Sequence, residues 1–140
     1  MSKKPGLSFR GIDHVAIAVT NFDEAVRLWR DALSLPLMGV EEVPSQRVKV
    51  AVFEVGGARI ELVSPTSADS PVAKFLARRG DGLHHISLRV DDCQTVLREL
   101  DKRGLPLVDR EARQGAGGAR VGFLHPKALG GILVEIAQRK

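Results

Sequence analysis

The sequence predicts an α+β protein made of two consecutive βαβββ modules, whose strands form a curved, mostly antiparallel sheet with helices on its outer face. Three observations carry that prediction. The stretch Gly11-Ile12-Asp13-His14-Val15-Ala16-Ile17-Ala18-Val19 returns as Gly82-Leu83-His84-His85-Ile86-Ser87-Leu88-Arg89-Val90, and both read G-x-x-H-[VI]-x-[IL]-x-V. Each copy alternates with a period of two and leads into a helical apolar pattern. A second echo sets Arg59-Ile60-Glu61-Leu62-Val63 against Leu133-Val134-Glu135-Ile136-Ala137. A chain of 140 residues fits one domain of two such modules, at about 10–65 and 82–138, joined by a connector at 66–81.

Residues Met1 to Ser8 read as a loose leader. In the first strand, Ile12 to Val19, the residues Val15, Ile17 and Val19 share one face, and His14, Ala16 and Ala18 share the other. Asn21 and Glu24 then form a capping box, and Ala25, Val26, Leu28, Trp29, Ala32 and Leu33 supply the apolar stripe of a helix that Leu35-Pro36 ends. Strands follow at Leu37–Val43, Val48–Val55 and Ala58–Ser64, with Gly56-Gly57 as a hairpin turn. In the connector, Ser70 is an N-cap and Pro71 the first helical residue of a segment that runs to Gly80.

The second module repeats this order. In the strand Leu83–Val90, the residues Ile86, Leu88 and Val90 oppose His85, Ser87 and Arg89. Asp91 is the expected cap of a helix striped by Val96, Leu97 and Leu100 and closed by Gly104. Short strands are expected at Leu105–Val108, Arg120–Leu124 and Ile132–Ala137.

Composition narrows the function. The 44% hydrophobic and 27% charged residues are those of a water-soluble globular chain. Tyrosine is absent and aromatics make up 4%, so the core has to be built from Val, Leu, Ile and Ala. The net charge of +4 is mild and sits partly at Lys3, Lys4, Arg10, Arg139 and Lys140. No basic helix interleaved with aromatics is present, which argues against a nucleic-acid partner. No apolar run reaches membrane-spanning length, and the N-terminus carries no apolar signal core, so no membrane partner is expected. Cys93 is alone, which suits a reducing cytoplasm. It falls at a helix start, where the dipole would lower its pKa, and reads as a surface or half-buried residue.

Each half offers one histidine early and one glutamate late. Alternation sets His14, Glu61, His85 and Glu135 opposite the apolar positions of their own strands. If helices cover the apolar faces, a pseudo-two-fold arrangement brings the four to one point on the concave side. Two imidazoles and two carboxylates suit a divalent ion, and facing carboxylates without a cation would be costly. His84 falls on the opposite parity and reads as structural. His125, before Pro126, is either a surface residue or a substrate contact.

These residues resemble the vicinal oxygen chelate superfamily of tandem βαβββ metalloenzymes and, more narrowly, the methylmalonyl-CoA epimerases. The resemblance runs from Ile12 to Gln138. It rests on Ile12-Asp13-His14-Val15-Ala16, on Asp69-Ser70-Pro71-Val72-Ala73-Lys74-Phe75-Leu76, on Gly82-Leu83-His84-His85, and on Phe123-Leu124-His125-Pro126-Lys127 with Gly131-Ile132-Leu133-Val134-Glu135. It implies metal ligation by His14, Glu61, His85 and Glu135. The implied ion is cobalt, with manganese, nickel, zinc and magnesium as alternatives. The implied reaction is epimerisation of (2R)- and (2S)-methylmalonyl-CoA through an enolate, by a cytoplasmic homodimer acting on a small acyl-CoA. Glu135 is the first candidate for proton transfer and Glu61 the second. Some relatives carry a glutamate base where this chain has Val50, and Glu54 shares its parity. The identity of the second base is therefore open. The competing readings are a glyoxalase I-like isomerase with the same ligands, an extradiol-type dioxygenase, which needs only two His and one carboxylate, and a metal-free small-molecule binding protein of the same fold.

Overall fold

A computed structural model describes residues 7–140. It is a mixed α+β protein in which, among the described residues, eight strands and three α-helices divide into two compact units, one of residues 13–85 and one of residues 7–12 with 86–140. The expected leader lies outside the described residues up to residue 6. Leu7 itself packs against the core of the second unit.

In the unit of residues 13–85, β1 (Gly11–Ala18) leads to α1 (Phe22–Arg27), β2 (Leu37–Val43), β3 (Val48–Val55), β4 (Ala58–Pro65) and α2 (Pro71–Arg79). The strands lie in the order β2-β3-β4-β1. Strands β2, β3 and β4 pair antiparallel, and β1 joins β4 in parallel. Register sets Ala16 beside Glu61 and His14 beside Arg59. Asn21 accepts the Glu24 backbone N–H as the expected N-cap, and the Glu24 carboxylate accepts from the Asn21 side-chain amide where a capping box would have it accept the Asn21 backbone N–H. Ser70 accepts the Val72 N–H with Pro71 following it.

The helix after β1 departs from the expected stripe. Leu28–Ala32 is wound as a π-helix, which takes more residues per turn, so that of the stripe beyond Arg27 only Trp29 stays on the core face. Val26, Ala25, Trp29 and Phe22 pack with Phe53 and Leu62, while Leu28, Ala32 and Leu33 remain exposed.

In the other unit, β5 (Gly82–Arg89), which enters it at Ile86, leads to α3 (Cys93–Lys102), β6 (Arg113–Gln114), β7 (Arg120–Leu124) and β8 (Val134–Gln138). The order is β5-β8-β7-β6, with β5 and β8 parallel and the rest antiparallel. Val96, Leu97 and Leu100 of α3 pack on Val90, Leu124 and Ile136, with Leu88 beside them. Ile86, expected on that same face, is exposed instead.

Three further expectations need correcting. The cap of α3 is Asp92, which accepts the Thr95 N–H, because Asp91 is engaged by the Arg10 guanidinium. Leu105–Val108 is no strand: Leu105 and Leu107 turn into the core beneath α3, leaving one isolated bridge from Leu107 to Leu124, and the short strand comes later as β6. Cys93 is fully buried, its thiol against the Ile136 carbonyl, and burial followed by the nearby Glu135 charge pushes its pKa up to about 12. The dipole of the helix start is outweighed by desolvation. No helix among the described residues is long and apolar enough to cross a membrane.

Close packing fixes α3 on β7, since a Cβ at Gly122 would stand 2.6 Å from Leu97 Cδ1. Gly122→Ala is expected to destabilise the protein by about 1–3 kcal/mol in denaturant titrations, the usual range for overpacking. The Cys93 thiol should resist a disulfide-exchange reagent at pH 8 in the native protein and react fully once it is unfolded. Rapid native labelling would contradict its burial.

Candidate functional site

Within the unit of residues 13–85, two of the expected ligands, His14 and His85, meet through Nε2, and a third, Glu61, lies at the far nitrogen of His14. His14 comes from β1, Glu61 from β4 and His85 from the start of β5. All three are buried although they are polar. Strand alternation accounts for this on β1 and β4. Ile17, Ile60 and Leu62 go to the helix-covered core, and His14, Ala16 and Glu61 take the other face.

The two imidazoles meet Nε2 to Nε2 at 3.1 Å, edge to face, with ring centres 5.2 Å apart. In each half the residue just before the histidine occupies the other ring nitrogen. The Asp13 carboxylate lies 2.7 Å from His14 Nδ1, and His84 Nδ1 lies 2.9 Å from His85 Nδ1. The Glu61 carboxylate stands 3.4 Å from His14 Nδ1. Burial, with the neighbouring His14 and His84 rings, holds His85 well below the ordinary imidazole pKa, and burial lowers His84 to about 4. Both rings are therefore neutral near pH 7, each with one N–H and one lone pair.

That proton count decides what the site can hold. When His14 donates Nδ1–H to Asp13 and carries no proton on Nε2, that nitrogen presents a lone pair. His85 has two arrangements. It can donate Nε2–H to His14 and accept from His84, which closes a hydrogen-bonded chain without a cation. It can instead donate Nδ1–H to His84, and then two lone pairs face one point. The second arrangement fits a divalent ion: two nitrogens each roughly 2.1 Å from a shared ion stand about 3.0–3.4 Å apart. A carboxylate on the far nitrogen, as Asp13 is on His14, is the usual partner of a metal-ligating histidine.

In the sequence alone, Asp13 is only part of a motif and His84 reads as structural. His84 does pack edge-to-face on Phe75, with ring centres 5.0 Å apart, but its Nδ1 is also the hydrogen-bond partner of His85 Nδ1. The signal for both lies in the duplication, since Asp13-His14 and His84-His85 are matching dipeptides. His125 caps the short turn Pro126–Leu129 by accepting the Lys127 N–H on Nδ1.

Glu135, the fourth expected ligand, lies in the other unit. It is buried on β8, in register with Ser87 of β5 and Phe123 of β7. Val50, where a base would be needed by analogy, is buried and apolar, with Val63 and Glu41 as its strand partners. Glu54 is exposed at the hairpin end of β3, across from Arg59.

Comparison with known proteins places the chain in a family. Residues 13–123 match the model of the Glyoxalase/Bleomycin resistance protein/Dioxygenase superfamily. The chain is 38% identical to the uncharacterised protein YqjC of Bacillus subtilis (strain 168) over 129 residues, 92% of each chain. It is similar to the crystal structure of methylmalonyl-CoA epimerase from Mycobacterium tuberculosis, with 35% identity and a TM-score of 0.91 over 99% of this chain and 93% of that one. A methylmalonyl-CoA epimerase solved in complex with methylmalonyl-CoA and NH4+ is 31% identical, with a TM-score of 0.91 over 94% of this chain and 96% of that one. The chain belongs to the Glyoxalase/Bleomycin resistance protein/Dioxygenase superfamily, and within it is a homologue of the methylmalonyl-CoA epimerases.

Proposed function

We propose that the protein interconverts (2R)- and (2S)-methylmalonyl-CoA, using a divalent ion held by His14, Glu61, His85 and Glu135. The observation that carries the reading is the approach of two buried imidazoles, Nε2 to Nε2 at 3.1 Å, in a homologue of named epimerases. Glu135 is taken as the fourth ligand from the resemblance to the epimerases, and it is a buried carboxylate on β8.

When bound, the ion supplies Lewis acidity that stabilises enolate charge on the substrate. The chain supplies the proton chemistry. Glu135, buried on its strand, takes the proton from the carbon between thioester and carboxylate and shields it from bulk water. Inversion requires a proton to return on the opposite face, and Glu61 is the second buried carboxylate of the ligand set. Val50 has no proton to give. Asp13 and His84 hold the two rings in the tautomer that leaves Nε2 available. The same reading makes the protein a cytoplasmic homodimer of propionate metabolism, with cobalt as the first candidate ion.

The test is inversion of a single configuration. Metal-loaded protein given (2R)-methylmalonyl-CoA should produce the (2S) form, and EDTA-treated protein should not. Glu135→Gln is expected to lower turnover by about 10²- to 10⁴-fold, and His14→Ala to abolish both turnover and metal retention. Wild-type turnover with full metal content in either variant would refute the site. Failure of the metal-loaded protein to invert the substrate, with turnover of a glutathione hemithioacetal instead, would establish the glyoxalase I-like reading.

A further inference from the structure

Ser87 stands out among the buried polar side chains. It is fully buried, and its hydroxyl oxygen makes no hydrogen bond. A buried hydroxyl without a partner is unfavourable, so a serine in this place calls for a reason. Its neighbours supply one. Leu88 and Val90 of the same strand pack beneath α3, so alternation turns Ser87 to the opposite face. That face carries His85 two residues earlier on β5, and across the parallel pairing it carries Glu135 in direct register. Alanine would fill the same space without an unmet hydrogen bond.

We propose that Ser87 is a positioning residue for Glu135: its hydroxyl donates to one oxygen of the Glu135 carboxylate and leaves the other oxygen to the ion. This rests on the proposed ligation of a divalent ion by Glu135. A ligating carboxylate is ordinarily held by such an outer donor, which selects the oxygen offered and limits rotation of the group. When an ion fixes the Glu135 carboxylate, the Ser87 hydroxyl gains its partner. Ser87 therefore serves the loaded site and does nothing for the metal-free fold.

The experiment measures Co²⁺ binding to the metal-free protein by titration calorimetry, alongside its thermal midpoint, for the unsubstituted chain, Ser87→Ala and Ser87→Thr. Ser87→Ala should weaken Co²⁺ binding about 10- to 100-fold while leaving the midpoint of the metal-free protein unchanged or higher. Ser87→Thr keeps the hydroxyl and should recover most of the affinity. Equal affinity in the unsubstituted chain and Ser87→Ala would overturn the assignment and leave the metal site standing. A metal-free Ser87→Ala protein with a clearly lowered midpoint would also overturn it, by showing that the hydroxyl serves the fold. Absence of Co²⁺ binding in the unsubstituted chain would overturn both readings.

Discussion

The close approach of two buried imidazoles is the constraint on which the rest of the structure turns. Nitrogens 3.1 Å apart at His14 and His85 must either share a proton or share a cation. Protonating His85 would place a charge in a buried setting beside the His14 and His84 rings, which is why His85 is held well below the ordinary imidazole range. The residues immediately before the two histidines, Asp13 and His84, take up the far ring nitrogens. Proton placement at the centre of the site is thus governed by the same dipeptide position in both halves.

The fold serves that constraint through simple periodicity. In each unit, helices cover one face of the strands, at Val26 of α1 and Trp29 of the π turn after it, and at Leu97 and Leu100 of α3. The apolar side chains of each strand go to that face. Alternation then leaves the polar ones on the other, where small neighbours such as Ala16 and Ala18 give way to them. Parallel pairing of β1 with β4 and of β5 with β8 sets a histidine-bearing strand beside a glutamate-bearing strand twice. With aromatics at 4% of the chain, this layering depends on tight aliphatic packing, as the contact between Gly122 and Leu97 illustrates.

Much of this was legible in the sequence because duplication repeats a signal. One histidine on one strand says little, but the register match of His14 with His85 and of Glu61 with Glu135 made these four the expected ligand set, and each of them is a buried polar residue. What escaped reading depended on tertiary choices between locally equivalent options. Asp91 and Asp92 are equal as caps until Arg10 engages the first of them. Leu105 and Leu107 have the pattern of a strand, yet the apolar surface beneath α3 claims their side chains. The helix start should have lowered the Cys93 pKa, but burial against Ile136 outweighs the dipole. His84 follows the parity rule for its Cα, while an imidazole is long enough to reach back to the adjacent ring.

The ligand chemistry of the paired histidines can be read directly by X-ray absorption on protein loaded with one equivalent of Co²⁺. Two imidazole nitrogens are expected in the first shell, with oxygen donors completing it, and one imidazole is expected to be lost in His85→Ala. A cobalt ion with no histidine in its first shell, or with an unchanged shell in His85→Ala, would contradict it.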